Sequence, residues 1–265
     1  FIRFIFAYCF LFVLNPHRLK LSLKENFFVA LAGLTGVTLY QFTENLALDF
    51  TTASNVSIIV GICPFFTALT SQIFLKEKHL SFNFCLGFCL AFVGVVLVSF
   101  NGKINFNLSP KGDILALISA ICWGFYSLFL TMINKKGYNT ILITRKIFFY
   151  AILFMIPLVI CGVFAENPKS TAYVELSSIL NAERFSSILN WILLCFLGII
   201  ASGFCFVAWN KACNILGTVK ISTGLYLIPV ITIFFAAIFL NEKITLMGAI
   251  GSALTIIGLF VSGKK

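Results

Sequence analysis

The sequence predicts an all-α polytopic membrane protein made of two inverted five-helix repeats, with nine helices visible here of ten in the full protein. Three observations carry this prediction. The 265-residue chain is 60% hydrophobic and 11% charged, far from the roughly half apolar and quarter charged composition of soluble domains. Its apolar runs follow one another with short polar breaks, and each of about twenty residues is long enough as a helix to cross a hydrocarbon core of about 30 Å. The pattern also repeats within the chain.

In order, the runs fall at 1–14, 27–47, 54–75, 82–100, 112–133, 140–163, 190–210, 219–240 and 245–262. A spanning segment must satisfy its backbone polar groups internally, which leaves helices or closed barrels. Stretches such as ILALISAICWGFYSLFLTMI (114–133) lack the alternate-residue polarity of barrel strands, so helices are expected. The connection at about 164–189 carries Glu166, Glu175 and Glu183, and part of it reads either as a short surface helix or as a loop.

The repeat shows first as IFLKEK at 73–78 and IFLNEK at 238–243. A shift of 165 residues brings Gly33 onto Gly198, Asn45 onto Asn210, Ser57 onto Ser222, Pro64 onto Pro229, Thr67 onto Thr232 and Glu77 onto Glu242. Gly87 and Gly94 match Gly251 and Gly258 after a one-residue slip, and RFIFAY at 3–8 resembles RKIFFY at 145–150. The helix at 112–133 has no counterpart in the first half and opens the second repeat, so a complete first repeat predicts one more helix before Phe1. The repeats span 1–100 and 112–263. An odd number of helices per repeat makes the two copies enter the membrane from opposite sides.

Basic residues in the connections number ten on the face with Arg18, Lys20, Lys24, Lys76, Lys78 and the C-terminal lysines, against five on the other. This asymmetry predicts a multi-pass protein of the plasma membrane, bacterial inner membrane, with its C-terminus in the cytoplasm. The net charge of +10 is scattered through loops and forms no basic stripe, so nucleic acid is not expected as a partner. The nine cysteines make no CxxC pair and lie almost all within apolar spans. They read as reduced packing residues, and neither a metal nor another cofactor is expected.

The stretches ALDFTTASNVSIIVGICPFFTALTSQIFLKEK and WNKACNILGTVKISTGLYLIPVITIFFAAIFLNEKIT, each followed by Gly-x6-Gly, resemble the two EamA-type halves of the drug/metabolite transporter superfamily. KGDILALISAICWGFYSLFL is similar to the helix that opens the second half. The resemblance covers nearly the whole chain. It implies ten helices, both termini in the cytoplasm, and carriage of small polar metabolites such as amino acids, often outward.

The residues add candidate site positions of their own. Gly33, Gly36, Tyr40, Glu44 and Ala47 share one helix face, and small residues there also suit plain helix packing. A charged side chain inside a membrane helix costs about 2.5–3.5 kcal/mol on insertion scales and normally faces a bundle interior or a wet cavity. Glu44 lies toward a helix C-terminus, where the dipole disfavours negative charge, so capping does not explain it. Two readings stand: a pathway residue that binds a proton or a substrate ammonium, or a structural acid held by hydrogen bonds.

Tyr40, Trp123, Tyr126, Trp209 and Tyr226 offer flat faces with polar handles, suited to a pathway or to an interfacial belt. Trp209 matches Glu44 in the other half, beside Asn210, and Asn55 matches Lys220, which either meets a substrate or snorkels to headgroups. Ser57 belongs to a second small-residue stripe. Pro64 and Pro229 each remove a backbone donor from a matched helix and read as hinges or inherited kinks. Glu77 and Glu242 end equivalent helices beside Lys78 and Lys243 and read as gate or structural residues.

These features predict a secondary transporter, an exporter working by alternating access as a monomer or homodimer in the lipid bilayer, with a small-molecule substrate and possible proton coupling. A receptor or scaffold without turnover is the alternative. An enzyme is not expected: HExxH, GxSxG and GxxxxGK[ST] are missing, and His17 and His79 lie in loops.

Overall fold

The computed structural model describes residues 1–100, 109–163, 186–239 and 245–263. Among these residues there are nine helices and no strand. They are α1 (Ile2–Leu14), α2 (Leu23–Gly33, Leu34–Leu39 and Tyr40–Leu48), α3 (Ala53–Leu75), α4 (Phe82–Phe100), α5 (Pro110–Asn134), α6 (Thr140–Val163), α7 (Ile188–Leu216), α8 (Thr218–Phe239) and α9 (Leu246–Ser262). Six of them, α3 to α8, contain stretches long and apolar enough to cross a membrane. The chain is thus a multi-pass membrane protein. The connection at 164–185 and the IFLNEK acid Glu242 lie outside the described residues.

Local chemistry moves several helix ends away from the hydropathy boundaries. The second helix starts at Leu23, ahead of the apolar run at Phe27, because Ser22 and Glu25 form a reciprocal capping box. The Ser22 hydroxyl accepts from the Glu25 backbone N–H at 3.3 Å, and the Glu25 carboxylate accepts from the Ser22 backbone N–H at 2.9 Å. The seventh helix continues to Leu216 through the polar turn around Asn210 and Lys211.

Two helices contain a wider π turn. In α2 it spans Leu34–Leu39 and in α7 Phe196–Phe204, positions that overlap under the 165-residue shift. The matched helices α3 and α8 are also both interrupted. In α3, helix stops at Val60 and resumes at Cys63, with Pro64 in the first turn of the new segment, where its missing N–H costs nothing. In α8, a 3-10 turn at Thr223–Tyr226 precedes the segment that contains Pro229.

The chain divides into two compact units, and each draws on both halves of the sequence. The first holds residues 1–38 and 132–211. Here the halves exchange partners at their matched glycines. A methyl group on Gly33 would come within 2.7 Å of the Ile147 carbonyl oxygen on α6, and one on Gly198 within 2.6 Å of Phe6 Cβ on α1. Close approach of backbones replaces the apolar drive that lipid does not supply. Arg145 is buried, donates to the carbonyl oxygens of Asn15 and His17, and lies 5.3 Å from the Phe12 ring centroid. A cation thereby satisfies carbonyls left over at the C-terminus of α1. At the start of α2, the Tyr138 hydroxyl donates to Glu25 at 2.9 Å.

The second unit holds residues 39–131 and 212–265. Its tightest packing is α4 against α9. A methyl group on Gly87 would lie 2.6 Å from the Gly258 carbonyl oxygen, and one on Gly94 2.6 Å from that of Gly251. The order of the pairs is reversed along the chain, so these two matched helices run antiparallel.

Gly94→Leu forces a side chain into the Gly251 carbonyl and is expected to cost more than the roughly 1–3 kcal/mol of ordinary overpacking. Gly224 meets nothing within 4 Å of an added methyl, so Gly224→Ala is expected to stay within about 1 kcal/mol of wild type. Thermal unfolding in detergent checks both.

The capping hydrogen bonds from Ser22 hold Glu25 below the usual carboxyl range, and the bond to Glu25 holds Tyr138 above the usual phenol range. The pair therefore adds stability above the unfolded carboxyl pKa of about 4.3, lost as pH falls through the folded value. It keeps that stability up to the unfolded tyrosine pKa of about 10 and loses it as pH rises further. The difference in melting temperature between wild type and Tyr138→Phe is expected at neutral pH and should vanish in acid.

Candidate functional site

Five of the positions singled out by sequence come together in the second unit. Glu44 and Tyr40 stand one helical turn apart on α2, and the Tyr40 hydroxyl donates to Glu44 Oε1 at 3.0 Å. The Tyr40 ring lies 5.1 Å from Trp123 on α5, and Trp123 lies 5.2 Å from Tyr126. Glu44 and Tyr40 are half-buried, Trp123 is buried and Tyr126 is fully enclosed. Tyr226 on α8 is also fully enclosed, with its ring 6.5 Å from Phe88.

Two cysteines treated above as packing residues sit inside this group. The buried Cys63 thiol, in the turn where α3 resumes, lies within electrostatic reach of both Glu44 and Cys122. Tyr226 lies within such reach of Cys63 and Cys89. Cys63 is thus within electrostatic reach of both the acid on α2 and the phenol on α8. The arrangement is a carboxylate with a hydroxyl donor, bordered by aromatic faces, at a place where two interrupted helices meet. An aromatic face attracts a cation, so the cluster offers a carboxylate, a hydroxyl and ring faces to a polar or cationic group.

The remaining candidates are placed elsewhere. Asn55 is buried at the start of α3, where its side chain donates to Thr51 Oγ1 at 3.1 Å and Thr51 donates to Asp113 at 3.2 Å. Ser57 and Lys220 are exposed. Trp209 is half-buried in the first unit, and Asn210 is fully buried there, donating to Thr144 Oγ1 at 2.9 Å. The single α2 stripe read from the sequence is divided at the π turn: Gly33 serves the first unit, while Tyr40 and Glu44 serve the second.

Glu77 follows the end of α3. It accepts from Ser71 Oγ at 3.2 Å and lies 3.0 Å from His79 Nε2, and its predecessor Lys76 takes the left-handed conformation with φ 57°. Ser71 and His79 thus stand on Glu77 beside the expected Lys78. Sequence reasoning also missed the buried hydroxyls of α3, α5 and α8. Their spacing was the available signal: Ser127 and Thr131 follow Trp123 at four-residue steps, as Ser222 and Tyr226 follow Thr218.

Comparison with known proteins agrees with this architecture. Residues 1–100 and 110–263 match the EamA-like transporter family. An Archaeoglobus fulgidus protein named an uncharacterized transporter is 30% identical over 249 residues, which cover 93% of this chain and 79% of the relative. A Streptantibioticus cattleyicolor protein named a probable terminal-alkyne amino-acid exporter is 24% identical, covering 89% of this chain and 73% of the relative. The chain also superposes on a protein of known crystal structure with a TM-score of 0.74 at 18% identity, covering 99% of this chain and 85% of the other. That likeness concerns the fold.

Proposed function

The chain belongs to the EamA-like transporter family, and on that premise we propose that it is a proton-coupled secondary transporter exporting small polar metabolites, such as amino acids or related compounds. It works in the plasma membrane by alternating access, with its C-terminus in the cytoplasm, as a monomer or homodimer. The observation that carries the reading is the half-buried Glu44, bonded to Tyr40 and bordered by Trp123 in the second unit. An acid so placed discriminates between a proton and a substrate ammonium, since one occupant neutralises the charge that the other needs. Exchange of the two is the elementary step of antiport.

Tyr126 and Tyr226 extend the aromatic wall, while Asn55, Ser57 and Lys220 belong to the pathway's outer parts. The interruptions of α3 and α8 near Pro64 and Pro229 support their assignment as hinges, because a helix lacking continuous hydrogen bonds bends at lower cost. Glu77 serves as a gate residue where α3 ends. The relative named as an amino-acid exporter supports both the substrate class and the direction.

Purified protein in liposomes, offered a panel of radiolabelled amino acids and polar amines under an imposed pH gradient, tests the proposal. Gradient-driven flux of at least one compound is expected, and Glu44→Gln should reduce it at least about tenfold, matching loss of a charge-assisted contact of about 1.5–3 kcal/mol. Binding without turnover across the panel would identify a receptor or scaffold. Unchanged pH dependence in Glu44→Gln would remove Glu44 from the mechanism.

A further inference from the structure

Three helices of the second unit turn a row of hydroxyls toward one another. On α3 the row is Thr67, Thr70 and Ser71, on α5 it is Ser127 and Thr131, and on α8 it is Thr218, Ser222 and Tyr226. All but Thr131 are buried, at 6% exposure or less. The rows are joined across helices: Thr67 Oγ1 lies 3.3 Å from Ser127 Oγ, Thr70 donates to the Gly124 carbonyl at 3.0 Å, and Thr131 and Thr218 share a hydrogen bond of 2.6 Å.

The rows share a direction. Their inner ends are Cys63 and Tyr226, next to Glu44, with Trp123 against Tyr40. Toward the other end, Ser71 reaches Glu77, which contacts His79. From Cys63 to Ser71 the helix rises about 12 Å at about 1.5 Å per residue.

Four of these eight hydroxyls, those of Thr67, Thr70, Ser127 and Thr131, also bond a carbonyl in their own helix, the ordinary fate of serine and threonine in apolar helices. Two of the others stand out. Ser222 Oγ and Tyr226 Oη are fully buried with no hydrogen-bond partner among the described residues. A buried polar group left unsatisfied costs about 1–3 kcal/mol, and such groups in native proteins mark bound water or ligand. Both lie between Glu44 and the Thr131–Thr218 bond. Direct contacts of 2.6 and 3.3 Å leave no passage for a metabolite along the rows, but they suit the hop distance of a proton.

We propose that these hydroxyls, bridged by water at Ser222 and Tyr226, form a proton relay between Glu44 and the mouth residues Glu77 and His79. The proposal rests on the reading of Glu44 as a proton site. In each hop a hydroxyl or water oxygen accepts a proton from the preceding oxygen and releases its own to the next. One proton leaves the Glu44 carboxyl, one arrives at the Glu77 carboxylate, at His79 or in bulk water, and no bond between heavy atoms changes. Glu44 accepts from Tyr40, whose ring packs on Trp123, and lies within electrostatic reach of Cys63, itself within reach of Cys122. Tyr226 is faced by Cys63 and Cys89, and Glu77 by Ser71 and His79 between Lys76 and Lys78.

The test follows the Glu44 carboxyl band by infrared spectroscopy after a pH jump on the protein in lipid nanodiscs, the band being assigned by its loss in Glu44→Gln. Ser222→Ala, Tyr226→Phe and Thr131→Val should each slow Glu44 protonation by about tenfold or more, as expected for loss of one hydrogen-bonded step. Ser222→Thr and Thr131→Ser keep a hydroxyl and should retain the wild-type rate. Circular dichroism and monodisperse elution select the folded variants. Unchanged rates in the folded hydroxyl-deleted variants would overturn the relay. So would a shifted titration midpoint at an unchanged rate, which would make the hydroxyls electrostatic neighbours of Glu44. If no band vanishes in Glu44→Gln, the proton reading of Glu44 falls, and the relay falls with it.

Discussion

In hydrocarbon, a polar side chain has only the protein itself, or water that the protein holds, to replace its hydration, and this constraint organises the molecule. A charged group at the centre of a membrane helix costs about 2.5–3.5 kcal/mol on insertion scales, and one hydrogen bond to a charged group returns about 1.5–3 kcal/mol. The Tyr40 hydroxyl on Glu44 returns part of that cost.

The same constraint explains where the backbone is irregular. Both interrupted helices have their breaks within the second unit, beside Cys63 and Tyr226, where side-chain hydroxyls are concentrated. Irregular backbone at membrane depth is tolerated where protein or water can meet its free groups. Close glycine approaches occur there too: a methyl group on Gly124 of α5 would lie 3.0 Å from the Phe66 backbone, just beyond the α3 break.

Much of this was legible in the residues. The apolar runs gave the helices, and the Gly-x6-Gly pairs at 87–94 and 251–258, read there only as marks of the repeat, are where α4 and α9 cross. Glu44 stood out because a charge in an apolar run demands an explanation. Its neighbours Tyr40, Trp123, Tyr126 and Tyr226 followed from aromaticity, though nothing in one sequence ties α5 and α8 to α2. The hydroxyl rows escaped notice because serine and threonine in apolar helices usually bond their own backbone, so composition does not distinguish a row that faces another row. The π turns left no compositional mark, since one extra residue in a turn changes register and not residue type. They divide the α2 stripe, and Asn210, in the equivalent helix, bonds Thr144 within the first unit.

The central claim is that Glu44 is a carboxyl group held at membrane depth and able to take up a proton there. Dicyclohexylcarbodiimide, an apolar reagent that couples to protonated carboxyl groups, measures this directly when its sites are mapped by peptide mass analysis on protein in lipid bilayers. The account predicts modification at Glu44 in preference to Glu25 and Glu77, with a yield that falls as the pH is raised across neutrality. Modification that spares Glu44, or that reaches all three acids alike at every pH, would contradict it.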